Sequence, residues 1–247
     1  MNESTQTTFT IDEVLNALDS LETACLFLDR ADKFKWKWIA IALDHALYGF
    51  CISAIAMHDP FNVWSGTNDN MYMFEQAGHG WMKSHKVMFD EGPAYRIEWK
   101  PCIPPPEIPC DSDPIEQRFQ RLLDGDIIGF WSALARVQDS VLWMARMSHT
   151  QALHLTDEQM RRIVFLHNYV RNKIAHFMPK TYTFSVPKIQ AASKDIINAI
   201  GELVFKSFAI YSSRVDDIRS RTKTAIIRFA DYYEAQQHLS PESHPQE

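Results

Sequence analysis

The amino-acid sequence predicts an all-α protein, a helical bundle interrupted by an irregular insertion rich in proline and glycine. Three observations lead to this fold class. Apolar residues recur at helical spacing in several segments, short polar turns join those segments, and no glycine-rich phosphate loop interrupts them. Of the 247 residues, 46% are hydrophobic and 12% are aromatic, which is enough to form a core. We therefore expect a single domain over residues 11–236, with disordered ends at residues 1–10 and 237–247.

The first two helices are predicted over residues 11–31 and 36–57. The second contains an apolar run that is long enough to cross a bilayer. Asp44 and His45 lie near the middle of this run, however, where an ionisable side chain costs about 2.5–3.5 kcal/mol on membrane-insertion scales. We therefore interpret the run as a buried helix in a cytoplasmic protein that does not contact a membrane. Residues 1–10 agree with this location, since they lack the basic start and apolar run of a signal peptide.

Residues 59–116 are predicted to form the irregular insertion. They contain eight of the twelve prolines in the chain, and proline disrupts both helices and sheets. A short extended pair is expected around AYRIEWK, residues 94–100. His79 and His85 are too few to complete a zinc site, and the four cysteines form no CxxC pair. We therefore expect reduced thiols, no metal and no cofactor.

Four further helices are predicted after the insertion. Helical periodicity resumes over residues 115–149. The sequence TDEQ, which begins at Thr156, is a capping box that starts the next helix, and Pro179 ends that helix. A short extended segment, TYTFSV, then leads to helices over residues 188–211 and 214–236.

The helix that follows Thr156 has two distinct faces. An apolar face is predicted to pack on the bundle and consists of Ile163, Leu166, Val170, Ile174 and Phe177. The opposite arc is polar and consists of His167, Asn168, Arg171, Asn172 and His176. Asn168, Asn172 and His176 are spaced four residues apart, so they form a row along the helix with Arg171 beside them. We refer to this arc as the polar strip.

The polar strip has the groups that phosphate chemistry needs. Arginine offers a planar fork of donors to phosphate oxygens, and histidine can transfer a proton near neutral pH. The same side chains also suit an ordinary solvated helix face, on which the macrodipole favours a histidine near the C-terminus. Asp44 is isolated among apolar residues and needs a partner if it is buried. It could meet the polar strip, or pair instead with Lys37, Arg136 or a backbone amide.

The charge distribution favours an anionic partner for this part of the chain. No aspartate or glutamate occurs from Gln159 to Lys194, and this window carries +7, whereas the whole chain carries −6. Its basic residues are Arg161, Arg162, Arg171, Lys173, Lys180, Lys188 and Lys194. A basic face on an otherwise acidic protein is typical of a local anion-binding site.

The pattern R-N-x-x-x-H at the end of a helix resembles the signature of the HEPN superfamily (higher eukaryotes and prokaryotes nucleotide-binding). Here the pattern is carried by Arg171, Asn172 and His176, within a helical context that covers residues 11–57 and 115–212. The resemblance implies a HEPN-like bundle and a metal-independent endoribonuclease. Such an enzyme acts as a homodimer, with the two motifs facing across a shared cleft.

The resemblance also implies roles for individual residues. Arg171 would bind the scissile phosphate, His176 would transfer protons, and Asn172 would orient one of them. Independently of the resemblance, His167, Asn168 and Asp44 are candidates to support the site, and Lys173 and Lys180 are candidates to contact RNA, because of their place on or near the polar strip and the basic window.

HEPN proteins commonly act as toxins or in antiviral defence, which implies an antitoxin or a defence-system partner. In the toxins that a nucleotidyltransferase antitoxin silences, a tyrosine stands two residues after the histidine, and here that residue is Met178. The alternative function is a non-catalytic, dimerising helical module that binds RNA, a nucleotide or a protein partner. It would use the same basic face and would need no proton transfer.

Overall fold

A computed structural model describes residues 12–56, 60–63, 75–76, 80–100, 127–140, 143–145, 148–175, 181–210 and 212–239. Within these residues the fold is mostly helical, as predicted. The longer helices are α1 (Glu13–Leu28), α2 (Lys35–Ala56), α3 (Phe130–Val137), α4 (from Asp157 to Ala175), α5 (Val186–Phe205) and α6 (Val215–Leu239). One turn of 3-10 helix spans Pro60–Val63, and the strands are β1 (Glu75–Gln76), β2 (Gly80–Phe89) and β3 (Gly92–Lys100).

Helix α2 is the central element of the core. Leu43, Leu47 and Phe50 are fully buried, and the helix packs against α1 on one side and α5 on another. Among the described residues it is the one helix long and apolar enough to cross a membrane, but 72% of its apolar window is buried inside the protein. The prediction of a buried bundle helix is therefore confirmed by its packing.

Helices α1 and α2 approach most closely at Gly49. A Cβ atom at this position would lie 2.7 Å from the Cβ atom of Ala17, which is too close for both helices to keep their places. We expect Gly49→Ala to lower the free energy of unfolding in urea by about 1–3 kcal/mol, although alanine is the better helix former. Gly201→Ala is the matched control, because its Cβ would meet only the flexible end of Ile226, at 3.2 Å. An equal loss in both variants would contradict the prediction.

The insertion contains a β-hairpin, so the prediction that it is irregular is wrong for residues 80–100. Strands β2 and β3 pair in antiparallel fashion from Trp81 with Lys100 to Phe89 with Gly92. The hairpin includes AYRIEWK but is more than twice as long. Its turn ends at Gly92, whose φ of 129° favours glycine. The prolines that suggested disorder lie mainly in residues 101–126, outside the described residues.

Of the helix predicted over residues 115–149, the described residues contain Phe130–Val137, and Gly129, where an interruption was expected, is its N-cap residue. Helix α3 ends at Val137 because Asp139 provides other hydrogen bonds for the following backbone: its Oδ2 atom accepts from the Trp143 N–H at 2.9 Å. The Leu153 N–H also donates to the Val137 carbonyl at 2.8 Å. A short polar side chain that bonds to nearby backbone competes with helix formation in this way. Residues 115–126 lie outside the described residues.

The remaining elements follow the predicted order with shifted ends. Both halves of the Thr156 capping box are present, which confirms the predicted start of α4. Residues 181–185 are not helical, α5 ends at Phe205 rather than 211, and α6 continues to Leu239 rather than 236. Cys25 and Cys51 are free thiols, and burial raises the pKa of Cys25 to about 12. The termini 1–10 and 240–247, like Cys102 and Cys110, lie outside the described residues.

Candidate active site

The candidate site is built on a π-helical segment in the middle of α4. The segment spans Phe165–Arg171, and at its end the Asn172 N–H donates to the carbonyl of His167, five residues earlier. Such wide turns are rare and occur often at functional sites. The wider turn places side chains four residues apart nearly above one another, which creates three neighbouring stripes. These stripes are His167 with Arg171, Asn168 with Asn172, and Tyr169 with Lys173.

The first stripe faces Asp44 of α2. The Nδ1 atom of His167 lies 2.7 Å from Asp44 Oδ1, and the Nε atom of Arg171 lies 3.4 Å from Asp44 Oδ2. Only 5% of the Asp44 side chain is exposed, so its carboxylate is buried and has one partner for each oxygen. Of the partners that the sequence left open for Asp44, the structure therefore selects the polar strip.

His167 is held in place by aromatic rings from the first turn of α3. Its imidazole stacks on the Phe130 ring at a centroid distance of 4.1 Å, and the Trp131 ring meets it edge-on at 5.0 Å. The residue is 9% exposed, so its predicted place on the arc opposite the apolar face is wrong. At about 100° per residue, His167 lies only about 40° around the helix from Ile163 of that apolar face, which agrees with its burial. The imidazole is thus fixed against Asp44 and can hold that carboxylate toward Arg171.

The second stripe connects α4 to the hairpin and to Arg171. The Asn168 side chain donates to the Pro93 carbonyl at 2.9 Å, directly after the hairpin turn. A Cβ atom at Gly92 would lie 3.0 Å from Asn168 Nδ2, which leaves little room for a larger residue. The Asn172 Oδ1 atom accepts a hydrogen bond from Arg171 Nη1 at 2.8 Å. Asn168 therefore anchors the hairpin, and Asn172 orients the arginine.

Arg171 is held at two of its three guanidinium nitrogen atoms. Asp44 contacts its Nε atom and Asn172 binds its Nη1 atom, whereas Nη2 makes no hydrogen bond with any part of the chain that the structure describes. The side chain is 38% exposed. A guanidinium held in this way presents its remaining donors to solvent, in the arrangement that suits a phosphate oxygen.

Two of the predicted site residues, His176 and Lys180, lie outside the described residues. Lys173 is described, and its Nζ atom lies 3.3 Å from the centroid of the Tyr169 ring and 5.1 Å from that of Tyr182. Its charge thus rests on aromatic rings, a contact that the helical pattern did not predict.

In the folded protein, carboxylates from outside the basic window compensate part of its positive charge. Arg161 and Arg162 both pair with Glu158, and Arg162 also contacts Asp195 at 2.5 Å. Arg171 pairs with Asp44. Three of the seven basic residues are therefore neutralised by carboxylates that lie just outside the window or on another helix. A stretch without acidic residues need not fold into a surface without them.

Within the described residues, no group of three or more His, Cys, Asp or Glu side chains is placed to hold a metal ion. The side chains of His79 and His85 lie outside those residues. Comparison with family models, with curated proteins and with solved structures finds no match to this chain.

Proposed function

We propose that this protein is a metal-independent endoribonuclease of the HEPN type. The observation that carries the proposal is the Arg171 guanidinium, which Asp44 contacts at Nε and Asn172 binds at Nη1, while Nη2 has no hydrogen-bond partner among the described residues. A cation that is oriented before the substrate binds can stabilise charge in a transition state without reorganising. Asp44, in turn, is positioned by His167.

In the proposed reaction, the 2′-hydroxyl of one ribose attacks the adjacent phosphorus and the bond to the 5′-oxygen of the next nucleotide breaks. His176 takes the proton from the attacking hydroxyl and passes it to the leaving oxygen. Arg171 stabilises the negative charge that develops on the phosphate oxygens. The products are a 2′,3′-cyclic phosphate and a free 5′-hydroxyl, and the atoms balance without a water molecule or an oxidant.

The proposal includes an assembly and a setting. Two copies of the chain would place their motifs across one cleft, so that one RNA strand meets residues of both. The enzyme would act in the cytoplasm as a toxin or an antiviral effector, held inactive by a partner until it is needed. These parts follow from the resemblance of Arg171, Asn172 and His176 to the HEPN motif.

One observation favours the second candidate, a non-catalytic helical module that binds RNA, a nucleotide or a protein. The buried Asp44 carboxylate already compensates the charge of Arg171, as it would in a purely structural ion pair. In such a module His176→Asn would leave binding and the biological effect unchanged, whereas a nuclease would lose its activity.

A cleavage assay in EDTA tests the proposed function. We expect the purified protein to cut single-stranded RNA in the presence of EDTA, and to leave intact a matched RNA with one 2′-deoxyribose at each cleavage position, because the nucleophile is missing. His176→Ala should lower the cleavage rate by roughly 100-fold or more. The matched control is His238→Ala, which removes an exposed histidine near the end of α6.

Two outcomes would overturn the proposed function. One is equal activity in the wild type, His176→Ala and His238→Ala, which would identify a contaminating nuclease. The other is cleavage of the deoxy-substituted RNA at the same positions, because that reaction cannot use the 2′-hydroxyl.

A further inference from the structure

We propose that a row of aromatic side chains beside the polar strip binds the unpaired bases of single-stranded RNA. The row is formed by Phe165 and Tyr169 of α4 together with Tyr182 and Phe184 of the following segment, and we call it the aromatic ladder. This inference rests on the proposed function and adds to it the form of RNA that the enzyme selects.

The rings of the ladder form one continuous series of contacts. Phe165 stacks on Tyr169, with centroids 5.6 Å apart and planes 22° apart. The edge of Phe184 meets Tyr169 at 6.0 Å, and Tyr182 stacks on Phe184 at 6.1 Å. Tyr169 is 39% exposed, but Lys173 lies over its ring, so a base would displace this flexible side chain in order to stack there. Partly exposed aromatic rings are platforms on which single-stranded nucleic acids stack their bases.

The charges around the ladder are positive. Lys173 lies over Tyr169 and Tyr182, and Lys188 lies 5.9 Å from the centroid of Phe165. Neither lysine forms an ion pair within the described part of the chain, in contrast to Arg161 and Arg162. Aromatic rings beside lysines that form no ion pair within the described residues complement a ligand in which flat, apolar groups alternate with anionic groups. A single strand of RNA has this chemistry, whereas a duplex hides its base faces.

The position of the ladder relates it to the candidate site. The order along the chain is His167, Asn168, Tyr169 in one turn and Arg171, Asn172, Lys173 in the next. The ladder stripe is therefore next to the amide stripe and lies on the side of it away from Asp44. Tyr169 and Arg171 are two residues apart and therefore lie on nearly opposite sides of α4, so a strand whose bases stack on Tyr169 would have to pass over the amide stripe for its phosphates to reach Arg171. The ladder would thus deliver an unpaired segment to the site.

Binding to RNA that cannot be cleaved tests the inference separately from catalysis. We would measure the fluorescence anisotropy of labelled 2′-O-methyl RNA 12-mers, which lack the nucleophilic hydroxyl, in single-stranded, abasic and duplex forms. Tyr169→Leu and Tyr182→Leu should each weaken binding of the single strand by roughly 5- to 100-fold, the measured range for loss of one stacked base. Binding of the abasic strand, which keeps the charge and lacks the bases, should be unchanged by both substitutions.

Two matched variants serve as controls. Tyr169→Phe keeps the ring and should bind as the wild type does. Phe34→Leu removes an aromatic side chain that is 57% exposed and has Lys33 at 5.0 Å from its ring, but lies between α1 and α2. It should also bind as the wild type does. A leucine variant that lowers the Tm yet binds the single strand normally would show that the ladder only fastens residues 181–185 to α4, and would overturn the inference.

Two further outcomes would also overturn it. In one, the leucine variants bind the abasic and base-containing strands with equal loss, which would assign the effect to charge. In the other, they change the oligomeric state in light scattering and leave RNA binding intact, which would make the ladder a protein interface. If the variants lose base-dependent binding while the wild type fails to cut RNA, the ladder stands and the proposed nuclease activity falls. If the wild type cuts RNA while the leucine variants keep base-dependent binding, the proposed nuclease activity stands and the ladder falls.

Discussion

Asp44→Ala is expected to lower the free energy of unfolding by about 1–3 kcal/mol, the usual cost of leaving a buried polar group, here the His167 imidazole, without its hydrogen-bond partner. The substitution leaves His167 and the Nε atom of Arg171 facing a small cavity instead of a carboxylate. Urea unfolding followed by circular dichroism measures the change. Asp44→Asn should cost less, because the amide oxygen can still accept the hydrogen bond from His167.

A surface pair provides the control for Asp44. Asp29 contacts Arg228 on α6, but its side chain is 69% exposed, so Asp29→Ala should change the stability by about 1 kcal/mol or less. If Asp44→Ala were no more destabilising than Asp29→Ala, the carboxylate would not be the central support of the site.

Arg171→Ala is expected to reduce the rate of RNA cleavage by roughly 100- to 1,000-fold, the effect of removing one preorganised charge-stabilising group. The substitution leaves His167 as the remaining partner of the buried Asp44 carboxylate, so circular dichroism is used first to check that the variant folds. Arg171→Lys should recover only part of the rate, since an ammonium group is a compact point charge and lacks the planar fork of donors with which arginine pairs with oxygen atoms at fixed angles. Initial rates with a labelled RNA in EDTA measure both variants.

The matched control is Arg161→Ala. Arg161 lies on the same helix and in the same basic window, but it pairs with the exposed Glu158 and contacts neither Asp44 nor Asn172. Equal loss of activity in the Arg161 and Arg171 variants would attribute the effect to overall charge. It would thereby remove the specific role proposed for Arg171.

Local features of the fold could be predicted from the sequence because their causes are local. The apolar periodicity that defines α1 and α2 lies within each helix, and the predicted ranges of 11–31 and 36–57 differ from Glu13–Leu28 and Lys35–Ala56 by a few residues. The Thr156 capping box depends on only four residues. Asn172 also bonds to its neighbour Arg171, so the orienting role implied by the motif needed no knowledge of the fold.

Features that depend on distant residues could not be predicted. The π-helical turn in α4 has no sequence signature of its own, and the ring contacts of His167 come from α3. Asp44 had several possible partners until the packing of α2 against α4 was known. The contact of Asn168 with Pro93 could not be predicted because it depends on the hairpin, and the many prolines of the insertion favoured an irregular structure over strands. The count of charges along the chain likewise could not show that Asp195 contacts Arg162 in the folded protein.

The contact between Asp44 and His167 also constrains the order in which the chain can assemble. The two residues are 123 positions apart, and α1 and α2 leave the ribosome long before α4 is made. Until α4 arrives, Asp44 would be a charge without a partner on an otherwise apolar helix, so the first two helices cannot complete the core between themselves. Completion of the core and assembly of the site are therefore one late step, and a nascent chain that has not reached its fourth helix has no formed site.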